Sequence, residues 1–321
     1  MRTAEFVSSK HPDKICDFIA DSILDAYLEK DKNSRCAVEV MGGHNLVVVN
    51  GEITSKSNVD IKKLVRGIVG ENYEVILNVV KQSPEIAQGV DAGGAGDQGI
   101  MMGYACNENE EMVPLEYYLA RKICKHIYEK YPYDGKVQVT LDEEGKESKK
   151  AIIVASFQNV ESKTLSKTVE EWIGKNPKIF SQYIIYANSA GDWSQGGFDA
   201  DTGLSGRKIA IDNYGPEIST GGGSFSGKDY TKVDRTGAYM ARRVAVDLLK
   251  KYKAKKVYTK LAYIIGKPEP VMAEANVDGV NIKIEGYDLS PKGIYKHLKL
   301  NEVKFSETSN WGHFGRGFNW D

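Results

Sequence analysis

The stretch IMMGYACNENEEMVPLEYYLARKICKHIYEKYPYDGKVQVTL, residues 100–141, decides the fold class. Its two ends, IMMGYAC and KVQVTL, are short and rich in apolar residues, which is typical of strands. Between them, PLEYYLARKICKHIYEK opens with Pro114, a residue that suits the first turn of a helix. A strand, a helix and a second strand in this order predict an α/β or α+β chain.

The same alternation continues on both sides of this stretch. Ile15, Ile19 and Ile23 recur at helical spacing after Pro12 and predict a helix that ends near Lys30. The other elements predicted before residue 100 are strands over 36–43 and 45–54 with a glycine turn between them, a helix over 58–70 and a strand from residue 73. Those predicted after residue 141 are strands over 150–157, 182–188, 208–214, 257–266, 270–277 and 280–286, and helices near 163–173, from about 234, and near 291–299. Sheet and helix therefore alternate in three rounds.

Composition excludes several classes of protein. The chain has 321 residues, of which 41% are hydrophobic and 27% charged, as in an ordinary globular protein. A net charge of −1 gives no field that would attract nucleic acid. Neither a signal sequence nor a long apolar segment occurs, and the four cysteines form no C-x-x-C pair. We therefore expect a cytoplasmic protein with free thiols that binds neither nucleic acid nor membrane.

The segment GGGSFSGKD, residues 221–229, is a Walker-A phosphate loop in all but its last position, where Asp229 replaces Ser or Thr. A P-loop must follow a strand closely and open a helix directly, and this segment does neither. The cations near these glycines are Arg207, Lys208, Lys228, Lys232 and Arg235. With Asp229 and Asp234 among them they suit a polyphosphate and Mg²⁺, whereas a flexible turn with a solvated charged face is the alternative.

Several other positions allow two interpretations each. In KHPDK, Asp13 is either a first-turn charge with His11 as a capping neighbour, or a metal ligand beside a histidine that faces an anion. Asp97, between glycines, lies in a tight turn or beside a ligand. Trp193, in a polar loop, covers a ligand ring or the edge of the core. Glu39 and Glu52, on short predicted strands, are by default solvated carboxylates.

Seven segments taken together resemble the S-adenosylmethionine synthetase (methionine adenosyltransferase) family, and they occur in the family's order along essentially the whole chain. They are HPDKICD (11–17), GEIT (51–54), KQSPEIAQGVD (81–91), GAGDQG (94–99), TGLSGRKI (202–209), GGGSFSGKD with KVDR (221–235) and GHFGR (312–316). The resemblance implies three similar α/β domains in a pseudo-threefold arrangement, with mixed sheets packed against helices. We place these domains at 1–92, 93–195 and 196–321.

The resemblance also implies a reaction. In this family the methionine sulfur attacks C5′ of ATP and expels the whole triphosphate, which is then hydrolysed to pyrophosphate and phosphate. The charge that grows on this leaving group must be met by fixed cations and metal, which accounts for the charged cluster. Because a thioether needs no general base, the lack of a nucleophile or triad is expected.

The family's ATP site is carried over by motif. His11 is expected at the junction of C5′ and the triphosphate, and Asp134 is expected at the ribose. The remaining residues of this site are the phosphate-binding Lys136, Arg207, Lys208 and Lys228, with Trp193 over the adenine, Ser224, and Asp201, which also borders methionine. The expected catalytic residues are His11, Lys136, Arg207, Lys228 and Asp97, the last of these in the GAGDQG turn.

The methionine and metal sites are carried over in the same way. Glu52, Gln82, Asp201 and Lys232 match the positions that hold or border the amino and carboxylate groups of methionine. Asp13 and Asp234 match the ligands of two Mg²⁺ ions, and Glu39 matches the K⁺-site carboxylate. The family places its active sites between two subunits, so we expect a homodimer, with a tetramer as the alternative.

The sequence departs from the family at several points. Trp193 stands where relatives carry Phe, Asp192 replaces a basic residue, and GGFDADTGL differs from the usual GGPxGDxGL around Asp201. The gating loop after KQSPEIAQGVD is short, which predicts faster or less complete closure of the site. The chain ends soon after GHFGR, without the family's C-terminal helix. Two alternative functions are an ATP-dependent kinase or tripolyphosphatase that uses the same anion site, and an inactive nucleotide sensor.

Overall fold

The computed structural model describes residues 1–82, 93–142 and 150–321. In chain order, the strands of this part are β1 (Arg2–Val7), β2 (Arg35–Gly43), β3 (Leu46–Thr54), β4 (Glu74–Val80), β5 (Gly99–Cys106), β6 (Gly135–Asp142), β7 (Lys150–Phe157), β8 (Gln182–Ala187), β9 (Gly203–Leu204), β10 (Lys256–Tyr263), β11 (Met272–Val277) and β12 (Val280–Lys283). The helices are α1 (Pro12–Lys30), α2 (Ile61–Val69), α3 (Leu115–Lys130), α4 (Ser162–Lys175), α5 (Ile209–Asp212), α6 (Val233–Tyr252), α7 (Pro291–His297) and α8 (Phe305–Thr308).

The strands form three four-stranded sheets that pack against helices, which confirms the predicted fold class. Sheet 1 has the order β1-β6-β7-β8 and carries α3 and α4. Sheet 2 has the order β4-β3-β2-β9 and packs against α1, whereas sheet 3 has the order β12-β11-β10-β5 and packs against α6. In sheets 1 and 2 an antiparallel hairpin is followed by a helix and a parallel strand, namely β6-β7-α4-β8 and β2-β3-α2-β4.

Each sheet takes one strand from outside the predicted segment that supplies the other three. β1 joins sheet 1, where Phe6 pairs with Val137. β5 pairs with β10 in sheet 3, and the short β9 pairs with β2 in sheet 2. The exchange is therefore cyclic among the segments 1–92, 93–195 and 196–321, and these boundaries remain a prediction.

Local sequence explains several of these elements. Pro12 begins α1, His11 caps its first turn by accepting a hydrogen bond from the Asp13 N–H at 3.2 Å, and Lys30 lies in the last turn. The β2–β3 turn uses His44 and Asn45 at φ 52° and 65°, a left-handed pair that suits a two-residue hairpin. None of the helices in the described residues is long and apolar enough to cross a membrane.

One predicted element is wrong. Residues 208–214 alternate apolar side chains as a strand does, but Ile209–Asp212 forms the short helix α5. Asp212 is buried there and accepts a hydrogen bond from the Lys14 ammonium at 2.5 Å, so a tertiary contact overrides the local pattern. The predicted gating loop, AGG at 92–94, begins at a residue outside the described ones, as does most of the KQSPEIAQGVD segment before it.

Candidate functional site

Four aspartates on one face of α1 bind backbone N–H groups of other segments. Asp13, Asp17, Asp21 and Asp25 recur every fourth residue and so project from one side of the helix. Each carboxylate accepts a hydrogen bond from a backbone N–H of another segment, at 2.8 or 2.9 Å: Leu204 to Asp13, Gly206 to Asp17, Gly227 to Asp21, and both Phe305 and Ser306 to Asp25. This row was not predicted, although its spacing is visible in DKICDFIADSILD.

The first end of the row is a cluster of His11, Asp13 and Lys208. The Lys208 ammonium donates a hydrogen bond to Asp13 Oδ2 at 2.5 Å, and His11 Nδ1 lies 3.9 Å from the same oxygen. Burial opposes charge on Asp13, but the Lys208 hydrogen bond and the Leu204 N–H hold the pKa of Asp13 below its ordinary value. Both interpretations of KHPDK therefore have support, since His11 is a cap and also lies in a charged cluster.

His11 is neutral at pH 7. Burial, with the Lys208 ammonium as the second cause, lowers the pKa of His11 to about 4. Because Nδ1 accepts the Asp13 N–H, the ring proton belongs on Nε2. The side chain can therefore offer an uncharged N–H donor on the side away from the helix.

Three more predicted residues extend this cluster. The charge of Lys136 lowers the pKa of His11 and that of Asp201 raises it, so both side chains lie near this histidine. Asp134 accepts a hydrogen bond from the Gly197 N–H at 2.9 Å, and burial raises the pKa of Asp134. The Lys136 ammonium lies 3.2 Å from Glu5 on the neighbouring strand β1.

A second cluster contains Lys228 and Asp234. The Lys228 ammonium donates a hydrogen bond to Asp234 Oδ2 at 2.6 Å. A Cβ on Gly223 would lie 2.4 Å from the Asp234 carboxyl carbon, and one on Gly206 would lie 2.7 Å from Ser224. The glycines therefore let the segment 221–224 approach Asp234 on one side and the loop before Lys208 on the other.

Ser224 and Gly227 complete this loop. The Ser224 hydroxyl is buried and has no hydrogen-bond partner within the described chain. Gly227 has φ 77°, and a Cβ there would lie 2.1 Å from the Val38 carbonyl oxygen, so only glycine fits. Because α6 begins at Val233, no helix starts at these glycines, as predicted.

The other predicted residues form no hydrogen bond or ion pair with these two clusters in the described part of the chain, although the charge of Lys228 acts on Glu39. Lys232 is buried and donates a hydrogen bond to Asp229 at 2.7 Å, and Ser205 donates one to Glu39. Trp193 Nε1 and Gln82 Oε1 are buried without partners in the part of the chain that is described. Glu52, Asp97 and Arg207 are exposed.

The carboxylates fit Mg²⁺ that is shared with a phosphate ligand. Within 1–82, 93–142 and 150–321 there is no group of three or more His, Cys, Asp or Glu side chains that could hold a metal alone. Asp13 and Asp234 each offer hard oxygen atoms beside a lysine. Mg²⁺ commonly takes one or two carboxylates and completes its shell with phosphate oxygens and water.

Comparison with known sequences decides the family. The N-terminal, central and C-terminal domains of S-adenosylmethionine synthetase match residues 1–83, 92–192 and 195–321. The S-adenosylmethionine synthase of Mycoplasmopsis pulmonis is 40% identical over an alignment that covers 98% of this chain and 93% of that protein. The chain belongs to the S-adenosylmethionine synthetase family.

A solved S-adenosylmethionine synthetase has the same fold. The structure of an unusual enzyme of this name from Campylobacter jejuni superposes with a TM-score of 0.88 at 29% identity, covering 99% of this chain and 96% of that one. At 321 residues, this chain is shorter than is typical of the S-adenosylmethionine synthetase family. The resemblance seen in seven short segments is thus confirmed over almost the whole chain.

Proposed function

We propose that this methionine adenosyltransferase joins ATP and L-methionine in one displacement at carbon. The methionine sulfur forms a bond to C5′, the bond from C5′ to oxygen breaks, and the triphosphate leaves with the electron pair. Water then cleaves the triphosphate to pyrophosphate and phosphate. The observation that carries the proposal is a neutral histidine and two lysine–aspartate pairs beside glycine-bearing loops, in a chain that belongs to the S-adenosylmethionine synthetase family.

His11 would stabilise the departing oxygen as a hydrogen-bond donor. Its Nε2–H is available because Nδ1 is occupied by the Asp13 N–H. A neutral donor gives up no proton to the triphosphate and so needs no reprotonation between turnovers. Donors fixed where charge develops are commonly the largest contribution to catalysis.

The phosphate oxygens would be bound by Lys136, Arg207, Lys208 and Lys228. Lys208 and Lys228 are each held beside one aspartate, Asp13 and Asp234, and each side chain is partly exposed. When bound between those aspartates and the triphosphate, two Mg²⁺ ions would supply further positive charge to its oxygens. Each lysine can then turn from its carboxylate to a phosphate.

The remaining roles follow the family. Trp193 would stack on the adenine, Asp134 would bind the ribose, and Ser224 would lie in the ATP site, with Asp97 in the catalytic turn. The methionine site would use Glu52, Gln82, Asp201 and Lys232. Glu39 would bind K⁺. The protein would act in the cytoplasm.

We also propose a homodimer whose sites lie between subunits. Glu39 and Glu52 lie on the face of sheet 2 that points away from α1, where Met41, Ile76 and Val80 are exposed. A second copy packed on this apolar face would bury it and bring these glutamates toward the partner's His11 cluster. Each methionine site would then be completed by both subunits.

The test is a methionine-dependent product assay. Purified protein is incubated with ATP, L-methionine, Mg²⁺ and K⁺, and the sulfonium product is measured beside the native mass of the assembly. We expect product and a dimer or larger assembly. ATP turnover that is independent of methionine and exceeds the coupled rate would instead indicate a kinase or tripolyphosphatase, and no turnover by a folded dimer would indicate a sensor.

A further inference from the structure

The third aspartate of α1 holds the backbone on both sides of Lys228. Asp21 Oδ1 accepts a hydrogen bond from the Gly227 N–H at 2.8 Å. The Arg235 guanidinium donates to both oxygens of Asp21, at 2.8 and 2.6 Å, and also to the Lys228 carbonyl oxygen at 2.9 Å. The peptide group that ends at Gly227 N and the one that follows the Lys228 Cα are therefore both linked to one carboxylate, the first directly and the second through Arg235.

Asp21 and Arg235 are more deeply buried than the lysine whose backbone they hold. The side chains of Asp21 and Arg235 are both 0% exposed, whereas that of Lys228 is 17% exposed. Arg235 is further held by Tyr239, whose hydroxyl accepts a hydrogen bond from Nε at 3.1 Å. A ligand can therefore reach the Lys228 ammonium but not the pair behind it.

We propose that Asp21 is a positioning residue for the transfer reaction: through Arg235 and the Gly227 N–H it fixes the backbone of Lys228, so that the ammonium meets the departing triphosphate. This inference rests on the proposed function of Lys228. Misplacing a group that binds the leaving group by about 1 Å can lower a rate by about 100-fold, so the support behind Lys228 is expected to matter for kcat.

Asp25 provides a matched control. It lies four residues further along the same face of α1 and also accepts backbone N–H groups, from Phe305 and Ser306. In the part of the chain that the structure describes, these hydrogen bonds make no link to Lys228. A purely structural role for the row predicts that Asp21→Asn and Asp25→Asn both lower thermal stability and leave kcat per folded subunit unchanged.

The experiment is a double-mutant cycle between Asp21→Asn and Lys228→Ala, with Asp25→Asn beside it. We expect Asp21→Asn to lower kcat by between about tenfold and 100-fold per folded subunit, with the KM for methionine unchanged. In the Lys228→Ala background the same change should have no further effect on kcat. Equal effects of Asp21→Asn in the two backgrounds would overturn the proposal.

Two further measurements keep the outcome decisive. If Asp21→Asn does not fold, Arg235→Lys replaces it, because lysine keeps the charge but cannot donate to Asp21 and to the Lys228 carbonyl in the same geometry. If the wild-type protein forms no sulfonium product, the proposed function fails. The affinity of the same four proteins of the cycle for magnesium tripolyphosphate is then measured by calorimetry. Positioning still predicts weaker binding in Asp21→Asn that disappears without Lys228.

Discussion

The ion pairs along α1 fall into two groups that differ in depth. In the interior, Lys14 contacts Asp17 and Asp212, and Arg235 contacts Asp21, with every side chain at most 5% exposed. At the rim, Lys208 pairs with Asp13 and Lys228 with Asp234, and both lysines are 17% exposed. One helix face thus supplies carboxylates for both groups. The interior pairs hold the backbone in place and are out of reach of a ligand, whereas the rim pairs can exchange their partners for a ligand.

The largest effect is expected from breaking an interior pair. Lys14→Met leaves Asp17 and Asp212 buried without their cation, which should lower the free energy of unfolding by about 3–5 kcal/mol. The measurement is denaturant unfolding at pH 7. The matched control is Lys130→Met at the exposed pair with Glu171, where we expect a loss of at most about 1 kcal/mol. Similar losses in the two variants would contradict the division by depth.

A rim pair should affect catalysis instead of stability. Lys228→Ala is expected to lower kcat by about 10²–10³-fold, or about 2.7–4 kcal/mol, because one fixed donor to the leaving group is lost. Its thermal unfolding should stay close to that of the wild type, since within the described residues the ammonium of Lys228 pairs with Asp234 alone, and both side chains are partly exposed. Steady-state kinetics at saturating ATP and methionine checks this. An unchanged kcat would remove Lys228 from the leaving-group site.

The difference between the two groups could be predicted only in part. The residue types of the rim, with His11, Asp13, Lys228 and Asp234, were found because helix starts and glycine runs are local signals. Their mutual pairing was not, since Asp13 and Lys208 are 195 positions apart. The role of Arg235 was misplaced among the phosphate cations, because sequence alone gives no depth and this guanidinium is buried against Asp21.

The elements of the fold, too, could be predicted only in part. Helix α1 and the β2–β3 hairpin were predictable because Pro12, the apolar spacing and a tight turn act within a few residues. The cyclic exchange of β1, β5 and β9 was not, since the alternation of side chains in a strand does not identify its partner. Helix α5 was mistaken for a strand because its stabilising contact, Asp212 with Lys14, comes from a distant segment.

Trp193 extends the comparison to a neutral, half-buried residue outside both groups. Trp193→Ala should raise the KM for ATP, because the lost stacking on the base is worth on the order of 1–3 kcal/mol of binding free energy. The effect on kcat should be smaller. Trp193→Phe, which keeps a ring of the kind usual in the family, is the control and should stay near the wild type. Initial rates at varied ATP check both variants. If Trp193→Ala lowers the unfolding temperature and leaves the KM unchanged, the indole covers the edge of the core instead.

A pH-dependent effect concerns the charge of His11, which belongs to the rim cluster with Asp13 and Lys208. Burial and the Lys208 ammonium lower the pKa of this imidazole to about 4 in the folded protein, against 6.5 for an ordinary histidine. Between pH 4 and pH 6.5, His11 is therefore protonated in the unfolded chain but not in the folded one. The contribution of His11 to stability is present above pH 6.5 and is lost as the pH falls toward 4. NMR titration of the ligand-free protein, with His11→Asn to assign the signal, should give a midpoint near 4. The variant should also lose less stability than the wild type between pH 6.5 and 4. A midpoint above 7 would mean that His11 is mostly charged at pH 7 when it meets the triphosphate, and would replace the neutral donor with a cation at the rim.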